Sequence, residues 1–327
     1  MTARATGEHA RASTRLAAED LAVLREVFAR GENVMAAARR RDGRAWNSMA
    51  ATLVAYDLQS GSYVDQAKAN PVSHAAWCAQ IAQLLEPWLT ATSTVLEVGC
   101  GEATTLAGVL RSLRTRPKRA LGFDISWSRC AVGTTWLAQN NQAATLFVAD
   151  LFSIPLADNA VDVVYTSHSL EPNGGREREG LAELLRVART AVVLVEPIFE
   201  LATDDGKDRM LQHGYVRGLK ETATALGAQV EDYRLLPYTP NPLNPSGVIV
   251  ILKAASSLPA GDSPAQVVHR WQCPWTRAPL QVIGDALFCE AGGIAYPMLR
   301  GIPLLTADHA VIASRLGRID IARQQVD

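Results

Sequence analysis

A glutamate and two glycines, Glu97, Gly99 and Gly101, form the part of the sequence best suited to binding a ligand. Glycine lets the backbone turn sharply and approach a bound group closely. A dinucleotide site would carry a third glycine three residues later, but Thr104 stands there, and the carboxylate of Glu97 would repel a diphosphate. The pattern therefore favours a nucleotide-like ligand that carries a cationic end.

The segments on either side of these residues predict how they are positioned. Apolar residues precede the glycines in a run typical of a buried parallel strand: Val95, Leu96 and Val98. Apolar residues with helical spacing follow them: Leu106, Val109, Leu110 and Leu113. Strand, glycine turn and helix in this order predict the opening of a nucleotide-binding α/β unit.

Segment 97–101 resembles the first motif of the class I S-adenosylmethionine-dependent methyltransferases. Three later segments continue the resemblance in order: 120–126, 146–151 and 161–167. The resemblance implies that Asp124 binds both ribose hydroxyls and that Asp150 accepts a hydrogen bond from the adenine amino group. It further implies S-adenosylmethionine as cofactor, with S-adenosylhomocysteine as product.

The resemblance also implies a fold and a set of cofactor residues. The expected fold is α/β, with a doubly wound, seven-stranded, Rossmann-like sheet. Glu97 is expected to organise the methionine end of the cofactor. Tyr63 and Gln66 precede the domain and would contact the same end, although Tyr63 and Trp77 are equally well explained as packing between helices. The predicted cofactor-binding residues are Tyr63, Glu97, Gly99, Gly101, Asp124, Ile125, Asp150, Leu151 and Ser167.

The loop after the fourth predicted strand, residues 167–175, is expected to face the reacting methyl group, because open α/β sheets bind ligands beyond the carboxyl ends of their strands. Transfer to an alcohol or ammonium requires removal of a proton. His168 is the predicted base, with Glu171 orienting it, and the alternative is a histidine that caps the next helix. Glu196 is a further candidate for contact with substrate. His213 and Tyr215 are reserve candidates for the base.

Segment 153–160 resembles the methyltransferases that act on small molecules. We therefore expect a small-molecule acceptor, methylated at oxygen or nitrogen, in a biosynthetic pathway. The Asn-Pro-Pro-Tyr type of motif found in enzymes that methylate adenine or glutamine amino groups is absent after the fourth strand, where Ser167 and His168 stand instead. The alternatives are an RNA or protein methyltransferase with a built-in activator domain, and a protein that binds S-adenosylmethionine without turnover.

Four segments are predicted along the chain. They are a helical extension and cofactor or substrate lid (1–90), the methyltransferase domain (91–254), a linker (255–265) and a small β-rich ribbon domain with a C-terminal helix (266–327). Within the first two we expect an apolar helical stripe from Leu16 to Phe28, a helix over 75–85, a helix closing over 184–189, and a last strand pair at 230–233 and 248–252.

The C-terminal segment resembles, over about residues 266–314, the small zinc-ribbon protein that activates tRNA, rRNA and protein methyltransferases. Tetrahedral zinc needs two Cys-x-x-Cys knuckles, but Thr276 follows Cys273 and Gly292 follows Cys289 at the ligand spacing. We therefore predict a ribbon without metal, and a fused copy implies a built-in stabiliser or a contact for a homodimer. Its expected core is Leu280, Leu287, Tyr296 and Ile302.

Composition limits the possible binding partners and the cellular location. The chain has 327 residues, 48% of them hydrophobic, and a net charge of −1, so no overall positive field attracts nucleic acid. Five scattered cysteines form no disulfide framework, and we interpret Cys100 as a packing residue, not a nucleophile. The arginines at 39–41 and 44 could meet a phosphate, although a solvated helix end explains them better. No apolar run suits a signal or a membrane span, which predicts a cytoplasmic protein.

Overall fold

The computed structural model describes residues 18–42, 49–239, 241, 243–253 and 271–318. Within these ranges, the α-helices before the sheet are α1 (Ala18–Ala29), α2 (Val34–Asp42), α3 (Met49–Leu58), α4 (Ser62–Ala69) and α5 (Pro71–Leu85). Leu24 and Val27 of the predicted apolar stripe are buried, whereas Phe28 is 38% exposed. Leu16 and Arg44 lie outside the described residues.

Seven strands form the central sheet: β1 (Thr94–Val98), β2 (Arg119–Asp124), β3 (Thr145–Ala149), β4 (Val161–Ser167), β5 (Ala188–Pro197), β6 (Gln229–Leu235) and β7 (Ser246–Leu252). Their order is β6-β7-β5-β4-β1-β2-β3. Strands β1 to β5 are parallel, whereas β7 runs antiparallel to both β5 and β6. The predicted doubly wound α/β sheet and its last strand pair are confirmed.

Helices cover both faces of this sheet: α6 (Thr104–Ser112), α7 (Trp127–Gln139), α8 (Glu177–Val187), α9 (Asp204–His213) and α10 (Leu219–Ala225). All five residues of β1 are buried. Leu96 and Val98 pack in the core on one face, and Val95 packs in the core on the other. A strand covered on both faces needs a continuous apolar run, which is the pattern that predicted it.

One predicted helix boundary was wrong. The helix expected to close over 184–189 ends at Val187, and β5 begins at Ala188. Ala188 has φ −71° and ψ 141°, which is extended backbone, and it pairs with Val161 of β4. The chain therefore changes from helix to strand two residues earlier than the helical periodicity indicated, and helix boundaries often differ by this much.

Five short strands follow in the C-terminal segment: β8 (Gln281–Ile283), β9 (Ala286–Cys289), β10 (Ile294–Leu299), β11 (Ile302–Leu305) and β12 (Val311–Ile312). Strand β11 pairs in parallel with β3, through Leu304 with Val148 and Leu305 with Ala149. The ribbon therefore extends the central sheet at its β3 edge, and an edge that would otherwise expose unpaired backbone groups is covered.

The predicted ribbon core is largely as expected, since Leu287, Tyr296 and Ile302 are buried. Leu280 is partly buried against the same core. The linker lies outside the described residues, and of the C-terminal helix the structure describes residues 316–318 as helical, so the segment boundaries remain predictions. In the part of the chain that the structure describes, no helix has the length and apolar character needed to cross a membrane.

Candidate active site

A cavity of about 600 Å³ opens at the carboxyl ends of β1 to β4, under helices α4 and α5. Its walls contain every predicted cofactor residue: Tyr63, Glu97, Gly99, Gly101, Asp124, Ile125, Asp150, Leu151 and Ser167. Gln66 and His168 also line it. This volume is within the range of ligand sites in proteins, roughly 300–1,000 Å³.

The glycine turn allows two parts of the site to approach closely. Gly99 and Gly101 have φ values of 63° and 53°, in the left-handed region that favours glycine. A Cβ atom on Gly99 would lie 2.4 Å from Cβ of Ser169, in the loop after β4. A Cβ on Gly101 would lie 3.3 Å from Nη1 of Arg129. The absence of a side chain at these positions therefore lets the turn lie close to Ser169 and Arg129 at the floor of the cavity.

Glu97 is a buried carboxyl group at the end of β1. It is 2% exposed, and among the described residues its Oε2 atom has no hydrogen-bond partner. Burial raises the pKa of Glu97 to about 8, because the charged form loses its hydration. A cationic ligand in the cavity would favour the ionised form, which fits the sulfonium and ammonium groups of S-adenosylmethionine.

Asp124 and Asp150 follow the neighbouring strands. The Oδ2 atom of Asp124 accepts a hydrogen bond of 3.0 Å from the N–H of Gly101, and Oδ1 accepts one of 2.9 Å from the N–H of Ser126. Oδ1 of Asp150 accepts one of 3.0 Å from the N–H of Phe152. Burial raises the pKa of both carboxyls. Each carboxylate has about four acceptor positions, so both retain capacity for ligand hydroxyl or amino groups.

Glu102 joins the glycine turn to the helix above the cavity. Its two carboxylate oxygens each accept a hydrogen bond of 2.8 Å, one from the N–H of Gly61 and one from the N–H of Val64. These are the first unpaired donors of α4, which carries Tyr63. Sequence reasoning missed this residue, because a helix is usually capped by a neighbour along the chain and Glu102 is about forty residues away.

Arg129 forms a second link between this lid and the domain, and sequence reasoning missed it as well. Its side chain is 1% exposed, and the guanidinium lies 4.8 Å from the ring centre of Tyr56 and 4.4 Å from that of Tyr63. Its Nε atom donates a hydrogen bond of 2.7 Å to the carbonyl of Tyr56. The signal in the sequence that could have identified this residue is an arginine on the buried face of α7. Tyr63 packs on Arg129 and lines the cavity, and its contact with the cofactor remains a prediction.

His168 lies where the sequence placed it, in the cavity wall after β4. Its φ of 55° is in the left-handed region. Its Nε2 atom is hydrogen-bonded to Oγ of Ser246 at 2.7 Å, and Nδ1 lies 3.5 Å from Oε2 of Glu171. The ring meets the edge of Trp77 with centroids 5.4 Å apart. Burial lowers the pKa of His168 to about 4, so its ring is neutral at pH 7.

Two carboxyl groups lie behind His168, outside the cavity wall. Glu196 accepts hydrogen bonds from the N–H groups of Ser169, Leu170 and Glu171, so it fixes the loop, and the geometry contradicts a contact with substrate. Burial, and then the charge of Glu196, raise the pKa of Glu171 to about 8. Glu171 does not itself line the cavity.

The reserve candidates for the base, His213 and Tyr215, are also absent from the cavity wall. The hydroxyl of Tyr215 accepts a hydrogen bond of 3.4 Å from Nδ2 of Asn244, which does line the cavity. Tyr215 therefore supports the wall from behind. Of the four predicted candidates for proton transfer, the structure brings His168 to the cavity with Glu171 beside it.

The surroundings of the cysteines fit a structural role. Cys100 is 5% exposed, and a hydrogen bond with Cys130, followed by burial, raises its pKa, as expected for a packing residue. In the ribbon, Sγ of Cys273 lies 3.2 Å from the hydroxyl of Tyr296, and Sγ of Cys289 lies 3.4 Å from Oγ1 of Thr276. Among the described residues, no group of three or more His, Cys, Asp or Glu side chains is placed to hold a metal ion.

The cavity fits the cofactor that the sequence implied, since it combines an unpaired buried carboxyl at Glu97 with acids at Asp124 and Asp150 above a glycine turn. Residues 95–191 match a family model described as a methyltransferase domain. This part of the chain is similar to methyltransferase domains. The match and the site together support S-adenosylmethionine as the cofactor of the methyltransferase domain.

Solved structures with similar folds also include methyltransferases. A magnesium protoporphyrin IX methyltransferase from Synechocystis PCC 6803, with bound S-adenosylhomocysteine, is 14% identical with a TM-score of 0.47, covering 62% of this chain and all of that one. A chain from the Haloferax volcanii complex of the Trm112 methyltransferase activator and a methyltransferase is 15% identical with a TM-score of 0.46, covering 60% and 96%. These similarities are remote, and the sheet order around the methyltransferase domain establishes its fold independently.

One curated relative matches a short part of the chain. A UPF0434 protein of Vesicomyosocius okutanii subsp. Calyptogena okutanii (strain HA) is 47% identical over 38 residues. The match covers 12% of this chain and 64% of that relative's own length. The match is short and assigns no activity.

Proposed function

We propose that this protein transfers a methyl group from S-adenosylmethionine to oxygen or nitrogen of a small molecule in a biosynthetic pathway. The observation that carries this proposal is the covered cavity of about 600 Å³. Glu102 and Arg129 hold the lid helices down over it. A roofed space of this size, shared with a cofactor, suits a small acceptor better than a macromolecular surface.

The residues of the cavity have separate roles in this proposal. Asp124 binds the ribose hydroxyls, Asp150 binds the adenine amino group, and Glu97 organises the methionine end. Gly99 and Gly101 leave room for the cofactor backbone to lie against the turn. The bound cofactor supplies an activated methyl group, so the chain's main tasks are to align the acceptor with it and to exclude water.

His168 is the proposed base for an acceptor that must lose a proton. It lines the cavity and its ring is neutral at pH 7. Glu171, 3.5 Å from Nδ1, orients the ring. A neutral variant, His168→Gln, is expected to lower kcat by about a hundredfold while cofactor affinity stays unchanged.

The second candidate is an RNA or protein methyltransferase with a built-in activator. The observation in its favour is the ribbon, which pairs with β3, the strand that directly precedes Asp150. Binding of RNA that weakens steeply with salt would support this candidate. A protein that binds S-adenosylmethionine without turnover is the third.

A single labelling experiment separates these candidates. Purified protein with methyl-labelled S-adenosylmethionine is added to host lysate, which is then divided into small-molecule, RNA and protein fractions, with Asp124→Ala as blank. Label in the small-molecule fraction, absent from the blank, supports the proposal. Label in RNA or protein overturns it in favour of the second candidate, and cofactor binding without label in any fraction favours the third.

We also propose a cytoplasmic location. All five cysteines are free and buried, which fits a reducing compartment. A homodimer formed through the ribbon remains a prediction from the sequence, and light scattering of the purified chain tests it.

A further inference from the structure

The two sides of the cavity differ in charge. The cofactor side carries the carboxyl groups of Glu97, Asp124 and Asp150. The opposite side is formed by α4, α5, the end of β4 and the loop before β7. We call this side the acceptor wall; its side chains include Gln66, Asn70, Trp77, Tyr238, Asn241 and Asn244. Among the described residues, no Asp, Glu, Lys or Arg of these elements lines the cavity.

The charged groups nearest the acceptor wall are engaged by other residues, so within the described part of the chain the wall offers no free counter-charge. Two arginines line the cavity, and both are engaged by other groups. Arg129 donates to the carbonyl of Tyr56 and stacks on the rings of Tyr56 and Tyr63. Arg176 is paired with Glu179 at 2.6 Å and lies over the ring of Phe152, two residues from Asp150. The two histidines of the wall, His74 and His168, have pKa values lowered chiefly by burial, so both are neutral at pH 7. An ionic acceptor would lose its hydration against this wall without gaining a counter-charge.

Asn244 is an incompletely bonded group in this wall. It is 6% exposed, its Nδ2 atom donates to the hydroxyl of Tyr215 at 3.4 Å, and among the described residues Oδ1 has no hydrogen-bond partner. Buried amide groups in proteins are normally fully bonded. If the amide were turned over, its N–H group would be the unpaired end instead. A hydroxyl group can both donate and accept, so it satisfies Asn244 in either orientation.

Two aromatic rings belong to the same wall. Trp77 and Tyr238 lie with their ring centres 6.4 Å apart and their planes at 62°. The indole N–H of Trp77 donates to Oγ of Ser167 at 3.3 Å, which fixes the ring at the end of β4. Rings held in this way offer apolar surface and favour edge or offset contacts with another flat ring.

We propose that the methyl acceptor is an uncharged, hydroxyl-bearing ring compound whose hydroxyl group is bound by Asn244 and whose ring lies against Trp77 and Tyr238. This inference rests on the proposed function and narrows it to O-methylation. In the transfer, the acceptor oxygen gains the methyl carbon as the carbon–sulfur bond breaks. The pair of electrons of that bond stays on sulfur, which becomes a thioether, and the hydroxyl proton passes to His168 or to water.

The test uses the full chain, methyl-labelled S-adenosylmethionine and a small-molecule extract of host cells. The labelled product is passed at pH 7 over an anion exchanger and then a cation exchanger. We expect the label in the flow-through of both columns, its retention in the product after mild alkaline hydrolysis, which would cleave a methyl ester, and its release as methyl iodide by hydriodic acid. Retention on either exchanger overturns the inference but leaves methylation of a small molecule standing. Label found only in RNA or protein contradicts the proposed function itself.

Two variants of one residue test the wall directly. Asn244→Ala should reduce incorporation of label into the neutral fraction about tenfold at limiting extract, with unchanged cofactor affinity by calorimetry. Asn244→Asp has the same shape but adds a negative charge, so it should reduce incorporation as well. An increase with Asn244→Asp would indicate a cationic acceptor and overturn the inference. Gln229→Ala, which removes an exposed amide on β6, is the matched control and should have no effect.

Discussion

The carboxylate of Glu102 accepts a hydrogen bond of 2.8 Å from the backbone N–H of Val64, and so the glycine turn itself caps the helix that covers the cavity. Its other oxygen binds the N–H of Gly61 at the same distance. Glu102 is fully buried, which strengthens these bonds relative to an exposed cap. Lid position and cofactor-turn geometry are therefore coupled through one side chain.

Replacing Glu102 by alanine should loosen this lid. The change leaves two buried donors of α4 unpaired, and loss of a helix cap costs about 1–2 kcal/mol. We expect faster amide hydrogen exchange in residues 62–69 and weaker binding of S-adenosylhomocysteine. Glu102→Gln keeps one acceptor oxygen, so its amide exchange in 62–69 should lie between that of the wild type and that of Glu102→Ala. Exchange in 62–69 that is the same in all three proteins would contradict the coupling.

Asp124→Ala should weaken the binding of S-adenosylmethionine by more than tenfold, roughly 1.4 kcal/mol or above, because charged hydrogen bonds to the ribose are lost. The variant also leaves the N–H of Gly101 unpaired, so thermal unfolding must be measured beside calorimetry. Asp208→Ala removes an exposed aspartate of α9 and is the matched control. An unchanged dissociation constant for a folded Asp124→Ala protein would rule out the ribose assignment.

Stability should fall as pH rises from about 6.5 to 8. In the folded chain Glu97 and Glu171 have pKa values raised to about 8, from ordinary values of 4.5. The folded state therefore keeps protons that the unfolded state has released, and the free energy of unfolding decreases with pH across this window. Histidines of the unfolded chain have pKa values near 6.5, and their opposing contribution fades by about pH 7.5, so the carboxyl slope is clearest between about pH 7.5 and 8.

Glutamine at these positions does not titrate, so urea unfolding of Glu97→Gln and Glu171→Gln should show a flatter dependence on pH. The exposed Glu290→Gln variant should keep the wild-type slope. If all four proteins respond to pH alike, neither buried carboxyl is responsible.

Arg277 should support cofactor binding from a distance. Its guanidinium donates to the carbonyl of Ile154 at 3.2 Å and to Glu183 at 3.1 Å, so the ribbon braces the loop that follows Asp150. Arg277→Met should raise the dissociation constant for S-adenosylhomocysteine a few-fold, since partly exposed pairs contribute about 0.2–1 kcal/mol. Arg315→Met, at an exposed site of the ribbon, is the control. Equal affinities for the two variants would limit the ribbon to covering the sheet edge.

Metal analysis should find less than one zinc ion per chain. Cys273 and Cys289 provide two thiol groups, which are hydrogen-bonded to Tyr296 and Thr276, whereas a structural zinc site needs four ligands. Mass spectrometry of the protein purified without chelator measures the ratio. A stoichiometric zinc signal would overturn the prediction.

The sequence by itself determined the sheet and the acids at its edge. Glu97, Asp124 and Asp150 each end or follow an apolar run, and the carboxyl ends of parallel strands converge because the strands share one direction. Local order along the chain was therefore enough to predict which residues meet in the cavity. The same argument placed His168, which follows β4.

Only the tertiary structure decided how the cavity is closed and which groups line the acceptor wall. Glu102 and Gly61 are 41 residues apart, Arg129 and Tyr56 are 73 apart, and Arg277 and Ile154 are 123 apart. Such contacts depend on how whole helices and the ribbon pack, and no local pattern records them. Packing also decided the role of Glu196. Its position at a strand end suggested contact with substrate, but its carboxylate accepts hydrogen bonds from three backbone N–H groups. Strand direction is encoded locally, whereas the pairing of buried polar groups is settled by packing.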